Sequence, residues 1–178
     1  MKKTLLALSL LAGCCPGHEQ KPAAEPEAAW QSHLEAQLPL LGHRNWIVVT
    51  DMAYPLQTSP GIQTLFAEEP YAKVVATVDS LIKAAPHVFA HVYQDSEQER
   101  LSEELAPEWD DYRASMDNVF SHTDVQHVPH KELIQRLDQA GSLCKVVIIK
   151  TPLTLPYTST FFELDCGYWD SDRESRIR

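Results

Sequence analysis

Leu41-Gly42-His43-Arg44-Asn45-Trp46-Ile47-Val48-Val49-Thr50-Asp51 is the stretch that decides the fold. Asn45 to Thr50 is a short β-branched run that is apolar on consecutive positions. A strand covered on both faces reads this way, because neither face meets water. Upstream, Trp30, Leu34, Leu38 and Leu41 recur at helical spacing, and Gly42 follows as a stop. Asp51 closes the strand. The segment therefore reads as helix, turn and buried strand, with a polar group at each end of the strand.

The same alternation continues downstream. Pro55, Pro60 and Gly61 mark residues 53–61 as a loop. Pro70 can open a helix in which Val74, Val78, Leu81 and Ile82 share a face. His87 to Tyr93 reads as a strand and residues 95–120 as acidic and helical, with Trp109, Tyr112, Met116 and Phe120 apolar. Val125–Val128 is a short strand. Pro129 to Ala140 is a helix with Leu133 and Leu137 inward, capped by Gly141. Lys145–Lys150 and Ser159–Asp165 are two more strands. This pattern predicts a single α/β domain over residues 30–178, with a mostly parallel sheet flanked by helices.

Residues 1–29 read differently. Lys2 and Lys3 precede an apolar run, Leu5 to Leu11, long enough for a signal peptide and too short to span a bilayer. Leu11-Ala12-Gly13-Cys14 then matches the lipobox of bacterial lipoproteins, in which small residues admit the peptidase and the Cys thiol takes a diacylglyceryl group. The expectation is a signal peptide over 1–13, lipidation at Cys14, and a membrane-anchored protein facing the periplasm, with the outer membrane favoured in a Gram-negative host. Residues 14–29 carry the lipidated Cys and a tether rich in Pro, Ala and Glu, with no aromatic or β-branched residue. Loss of Lys2 and Lys3 on cleavage takes the formal charge from −10 to −12. Such an acidic body argues against nucleic acid and anionic lipid headgroups as partners.

In open α/β sheets ligands gather at the carboxyl ends of strands. His43 with Asp51, His130, and Tyr157-Thr158-Ser159 fall near such positions or at helix entries. For His43 and Asp51 to meet, the loop must fold back across the strand between them. Alone, each has a plainer reading as a solvated turn histidine, a loop cap or a core tyrosine. His87, His91, His122, His127 and His130 have irregular spacing and no metalloprotease-type Glu, so no metal site is predicted. Asp110 and Asp111, adjacent on a helix, point about 100° apart and read as a solvated face.

Three motifs together resemble the ribose pyranase and fucose mutarotase family. The first is Leu41-Gly42-His43 with an apolar strand and an Asp eight residues after the His. The second is Val128-Pro129-His130-Lys131-Glu132. The third is Lys145 to Thr151 followed by Pro156-Tyr157-Thr158-Ser159. Pro152-Leu153 stand where that family has Gly-Glu, and Ser159 stands where it has Asn. The resemblance implies acid/base opening of a sugar hemiacetal, interconverting anomers or ring forms of a monosaccharide such as ribose or fucose. His43 would exchange the proton, as a residue ordinarily titrating near neutrality. Asp51, His130, Tyr157 and Ser159 would bind the sugar. No cofactor or metal is implied, and a ring-shaped homo-oligomer with sites shared between subunits is. The alternative is a lipoprotein of the same fold that binds sugar without turnover or serves the envelope structurally.

Cys144 precedes one predicted strand and Cys166 follows another. If those strands were antiparallel neighbours joined by residues 151–158, the two thiols would lie within disulfide range. Otherwise they are two ordinary buried thiols.

Overall fold

The computed structural model describes residues 29–178; the expected signal peptide, Cys14 and the expected tether up to residue 28 lie outside them. Ala29 already belongs to the first helix, α1 (Ala29–Gln37), which buries Trp30 and Leu34 and tightens into a 3-10 turn at Leu38–Leu40. His87 closes this segment. Its Nε2 lies 3.2 Å from the Leu38 carbonyl and 3.1 Å from that of Leu41, supplying partners that helix-end carbonyls lack. One of the histidines weighed as a metal ligand thus has a structural use.

The remaining elements are β1 (Trp46–Thr50), β2 (Ile62–Phe66), α2 (Tyr71–Ala84), β3 (Val88–Asp95), α3 (Trp109–Val119), β4 (Val125–Val128), α4 (His130–Leu143), β5 (Val146–Lys150), β6 (Thr160–Cys166) and the short α5 (Ser171–Ser175). The strands form one sheet in the order β2-β5-β1-β6-β3-β4. β6 alone runs against the others, pairing antiparallel with β1 and β3, and every other pairing is parallel. The mostly parallel α/β sheet expected from the alternation is what the chain builds.

β1 shows why the sheet assembles around it. All five of its residues are buried. Ile47 and Val49 face the side covered by α1, α2 and α3, where Leu34, Val74, Val78, Ile82, Trp109 and Met116 pack. Trp46 and Val48 face α4, through Leu133 and Leu137. Each fully buried aliphatic side chain contributes about 1.5–3 kcal/mol relative to exposure. Both faces therefore reward apolar residues, and the period of two disappears from the sequence.

Four details differ from the sequence reading. No strand is expected between Asp51 and Pro70, yet β2 pairs in parallel with β5 there, Thr64 opposite Ile148. It is an edge strand of partly exposed residues with no apolar run to betray it. Residues 95–120 are not one helix. β3 extends through Asp95, a 3-10 turn spans Ser96–Arg100, and α3 begins only at Trp109.

Gly141 does not cap α4; the helix passes through it to Leu143. A Cβ on Gly141 would lie 2.6 Å from Ile62 Cγ1, and one on Gly61 would lie 2.4 Å from the Gly141 carbonyl oxygen. These glycines let the start of β2 approach the last turn of α4, where the Gly61 amide donates to the Gly141 carbonyl at 3.2 Å.

The premise for a Cys144–Cys166 disulfide also fails. β5 and β6 are not neighbours, because β1 lies between them. Two inter-strand spacings amount to about 10 Å, beyond disulfide reach. Both cysteines are free thiols, each partly exposed.

Candidate functional site

The carboxyl ends of β1, β3 and β5 open on one side of the sheet, and the start of α4 faces them. β3 ends on Gln94 and Asp95, both polar and both buried. Gln94 Nε2 donates to Thr160 Oγ1 at 3.2 Å. Asp95 is fully buried, and its Oδ1 lies 3.1 Å from Nδ1 of the half-exposed His130, the first residue of α4. Its Oδ2 is buried without a protein partner. Burial pushes the Asp95 carboxyl up to about 6, against the opposing pull of His130 and with help from the charges of Glu97 and Asp51. A carboxyl poised there changes protonation close to neutrality, beside a ring that can hold the same proton.

His130 is positioned twice. Its ring meets Asp95, and its backbone amide donates to both carboxylate oxygens of Glu97, at 3.2 and 3.0 Å. Glu97 thereby serves an amide that the helix leaves unpaired and adds negative charge at the positive helix end. The His130 ring meets Tyr157 edge-on, centroids 5.5 Å apart.

Tyr157 holds φ at 56°, in the left-handed region that a bulky residue enters only under constraint. The constraint is visible. The Thr158 carbonyl accepts from the buried Tyr71 hydroxyl and from Tyr112 at 3.2 Å. Thr158 Oγ1 donates to the Leu155 carbonyl at 2.9 Å, and Gln98 Nε2 donates to the Tyr157 carbonyl at 2.8 Å. With Thr158 pinned inward, Tyr157 is turned outward and stays 41% exposed. Ser159 is buried beneath the same loop. Asp51 Oδ1 accepts the Ala53 amide at 2.7 Å, so it caps its own loop, and its charge still reaches Asp95.

His43 is not in this group. It sits before β1, whereas Asp51 follows it, and the extended strand alone separates the two ends by about 13 Å. The loop does not fold back, so the expected meeting of His43 and Asp51 does not occur within one chain. His43 instead lies beside Asp165, at the end of β6, with Nδ1 to Oδ1 2.5 Å. It lines a cleft of about 730 Å³ together with His91, Cys166 and Trp169. Among the described residues no group of three His, Cys, Asp or Glu is placed to hold a metal ion.

Asp95, Glu97 and Gln98 were missed in sequence because the polar run after Tyr93 reads as a solvated helix. The available signal was the apolar strand running directly into Gln94-Asp95, which puts a carboxylate at a strand's carboxyl end.

Solved structures of known proteins share this fold. Bacillus subtilis RbsD, solved with D-ribose, superposes with a TM-score of 0.54 at 19% identity, covering 80% of this chain and 98% of that one. A fucose mutarotase from Streptococcus pneumoniae, solved with L-fucose, gives 0.48 at 15% identity, over 75% of this chain and 91% of that one. FucU from Bifidobacterium longum gives 0.49 at 11% identity, over 75% and 92%. At such identities the likeness to RbsD speaks to the fold. No curated protein sequence matches this chain. The family itself is established by sequence: from residue 27 to residue 164, across the helix, the sheet and both histidine-bearing motifs, the chain belongs to the RbsD / FucU transport protein family.

Proposed function

We propose that this protein opens the hemiacetal of a monosaccharide and so interconverts its anomers or ring forms. The observation that carries this reading is the Asp95–His130 pair with Tyr157 against the His130 ring, hydrogen-bonding groups and an aromatic face gathered at the carboxyl end of β3 where a sugar's hydroxyls and ring could be held. The family and the D-ribose held by Bacillus subtilis RbsD point to the substrate class.

The chemistry needs two proton transfers. A base takes the anomeric hydroxyl proton, the O1 electrons form the C1=O bond, the C1–O5 bond breaks, and an acid protonates O5. Reclosure on the other face gives the other anomer, and reclosure through another hydroxyl gives another ring size. Asp51, His130, Tyr157 and Ser159 are assigned to sugar hydroxyls, with Ser159 having the least surface to offer. His43 is assigned the proton transfer, supplied from an adjacent copy in a homo-oligomer, because its own strand holds it away from its own carboxyl-end group. No metal or cofactor has a part in these steps.

The Leu-Ala-Gly-Cys motif supports the further reading that Cys14 carries a lipid and that the domain works on the outer side of a membrane. Saturation-transfer NMR over ribose, fucose and related sugars tests the activity. Enzyme-dependent anomer exchange supports it. Binding without exchange would favour a sugar-binding lipoprotein, a reading that the buried Ser159 and the Pro152 substitution also favour.

A further inference from the structure

His43 and Asp165 are brought together by backbone pairing. The Arg44 amide donates to the Leu164 carbonyl at 2.9 Å, and the Leu164 amide donates to the Asn45 carbonyl at 2.8 Å. This clamp ties the turn before β1 to the end of β6, and Arg44 bends the turn with φ at 71°. Asp165 then faces two rings. Its Oδ1 is 2.5 Å from His43 Nδ1 and its Oδ2 is 3.5 Å from His91 Nε2. Phe89 braces His91 edge-on, centroids 5.0 Å apart, and is itself the residue opposite Asp165 in the β3–β6 ladder.

We propose that Asp165 is the positioning residue for His43: its carboxylate accepts the Nδ1 proton, fixes the imidazole in the Nδ1–H tautomer and leaves Nε2 as the atom that exchanges protons with substrate. An ionised carboxylate only accepts, so a neutral ring bonded to it must carry its proton on Nδ1. Burial alone would raise the Asp165 carboxyl, but the Cys166 amide and the His43 ring outweigh it and hold the group below its ordinary value. The Cys166 amide donates to the same Oδ1 at 2.7 Å, which steers that oxygen toward His43. A general base so oriented does not spend time in the tautomer whose substrate-facing nitrogen is already protonated.

The role in catalysis rests on the assignment of His43 above; the tautomer does not. In the ¹⁵N-labelled full chain, the His43 ring nitrogens should show Nδ1 protonated at neutral pH. Asp165→Asn should abolish that preference with the backbone spectrum otherwise preserved, and Asp165→Glu should restore part of it. Protonation on Nε2, or a tautomer unchanged in Asp165→Asn, overturns the proposal whether or not any sugar is turned over. Where wild type exchanges a sugar, Asp165→Asn should lower kcat by about 10–10²-fold, less than loss of the base itself, with KM unchanged. It should also add nothing further in a His43→Ala background. A full kcat in Asp165→Asn overturns the positioning role while leaving the sugar activity standing. No exchange by wild type, with the expected tautomer present, removes the function and not the geometry.

Discussion

Asp95 Oδ1 lies 3.1 Å from His130 Nδ1, a contact that joins the carboxyl end of β3 to the first residue of α4. Its two partners differ in setting. Asp95 is fully buried, whereas the His130 side chain is 37% exposed. The carboxyl is therefore the member whose protonation the protein interior controls.

A pH dependence follows from that carboxyl. Its folded value, about 6, lies above the ordinary 3.8. The folded state then binds the proton more tightly than the unfolded chain does. Asp95 contributes stability fully below pH 4, and the contribution is lost as pH rises through about 6. Asp95→Asn removes the cost of a buried charge at pH 7.5 and should be more stable there than wild type by roughly 1–3 kcal/mol. At pH 4 the two should be nearly equal. Urea unfolding at both pH values measures the difference, and an equal gap at both would exclude this origin.

His43→Ala should lower sugar exchange by about 10²–10⁴-fold while the fold survives, the usual worth of general acid–base catalysis. His130→Gln should also be inactive. If each site takes His43 from one copy and His130 from the next, mixed oligomers of the two inactive variants should recover roughly a quarter of wild-type activity, since an interface between copies can pair the two intact residues. No recovery after verified co-assembly would place both residues' contributions within one chain.

Gly→Ala inside a helix ordinarily stabilises by up to about 1 kcal/mol. Gly141→Ala should do the opposite, because the added Cβ would lie 2.6 Å from Ile62 Cγ1. A loss of about 1–3 kcal/mol is expected. Ile62→Ala should cancel part of it, giving a favourable coupling in a double-mutant cycle. Gly61→Ala, which drives a Cβ against two backbone carbonyls, should find no such rescue.

Mass spectrometry of the non-reduced protein should find Cys144 and Cys166 both alkylatable after unfolding. A peptide linking 144 to 166 would contradict the placement of β1 between β5 and β6.

Cys14→Ala should release the protein from the membrane fraction or leave an uncut precursor. Detergent partitioning equal to wild type would reject lipidation at that residue.

Much of this protein is legible in its residue order. Ile47-Val48-Val49 and Val146-Val147-Ile148-Ile149 announce strands buried on both faces, since continuous apolar runs are stable only where both sides are covered. Leu133 and Leu137 mark the buried face of α4, and Gly42-His43, Pro129-His130 and Pro156-Tyr157 mark the turns that carry candidate chemistry. These are local signals, set by periodicity and turn propensity. Tertiary pairing decided the rest. β6 enters the sheet beside β1 rather than β5, which parts Cys144 from Cys166 and sets Asp165 against His43. β1 stays extended, which sends His43 and Asp51 to opposite ends of the sheet. Asp95 sits in a polar run that reads as solvated, and only tertiary packing, with His130 of α4 set against it, makes it a buried carboxyl. A sequence states what each residue prefers locally. Which residues share a site depends on long-range strand order, where energies of many contacts compete and no single stretch carries the answer.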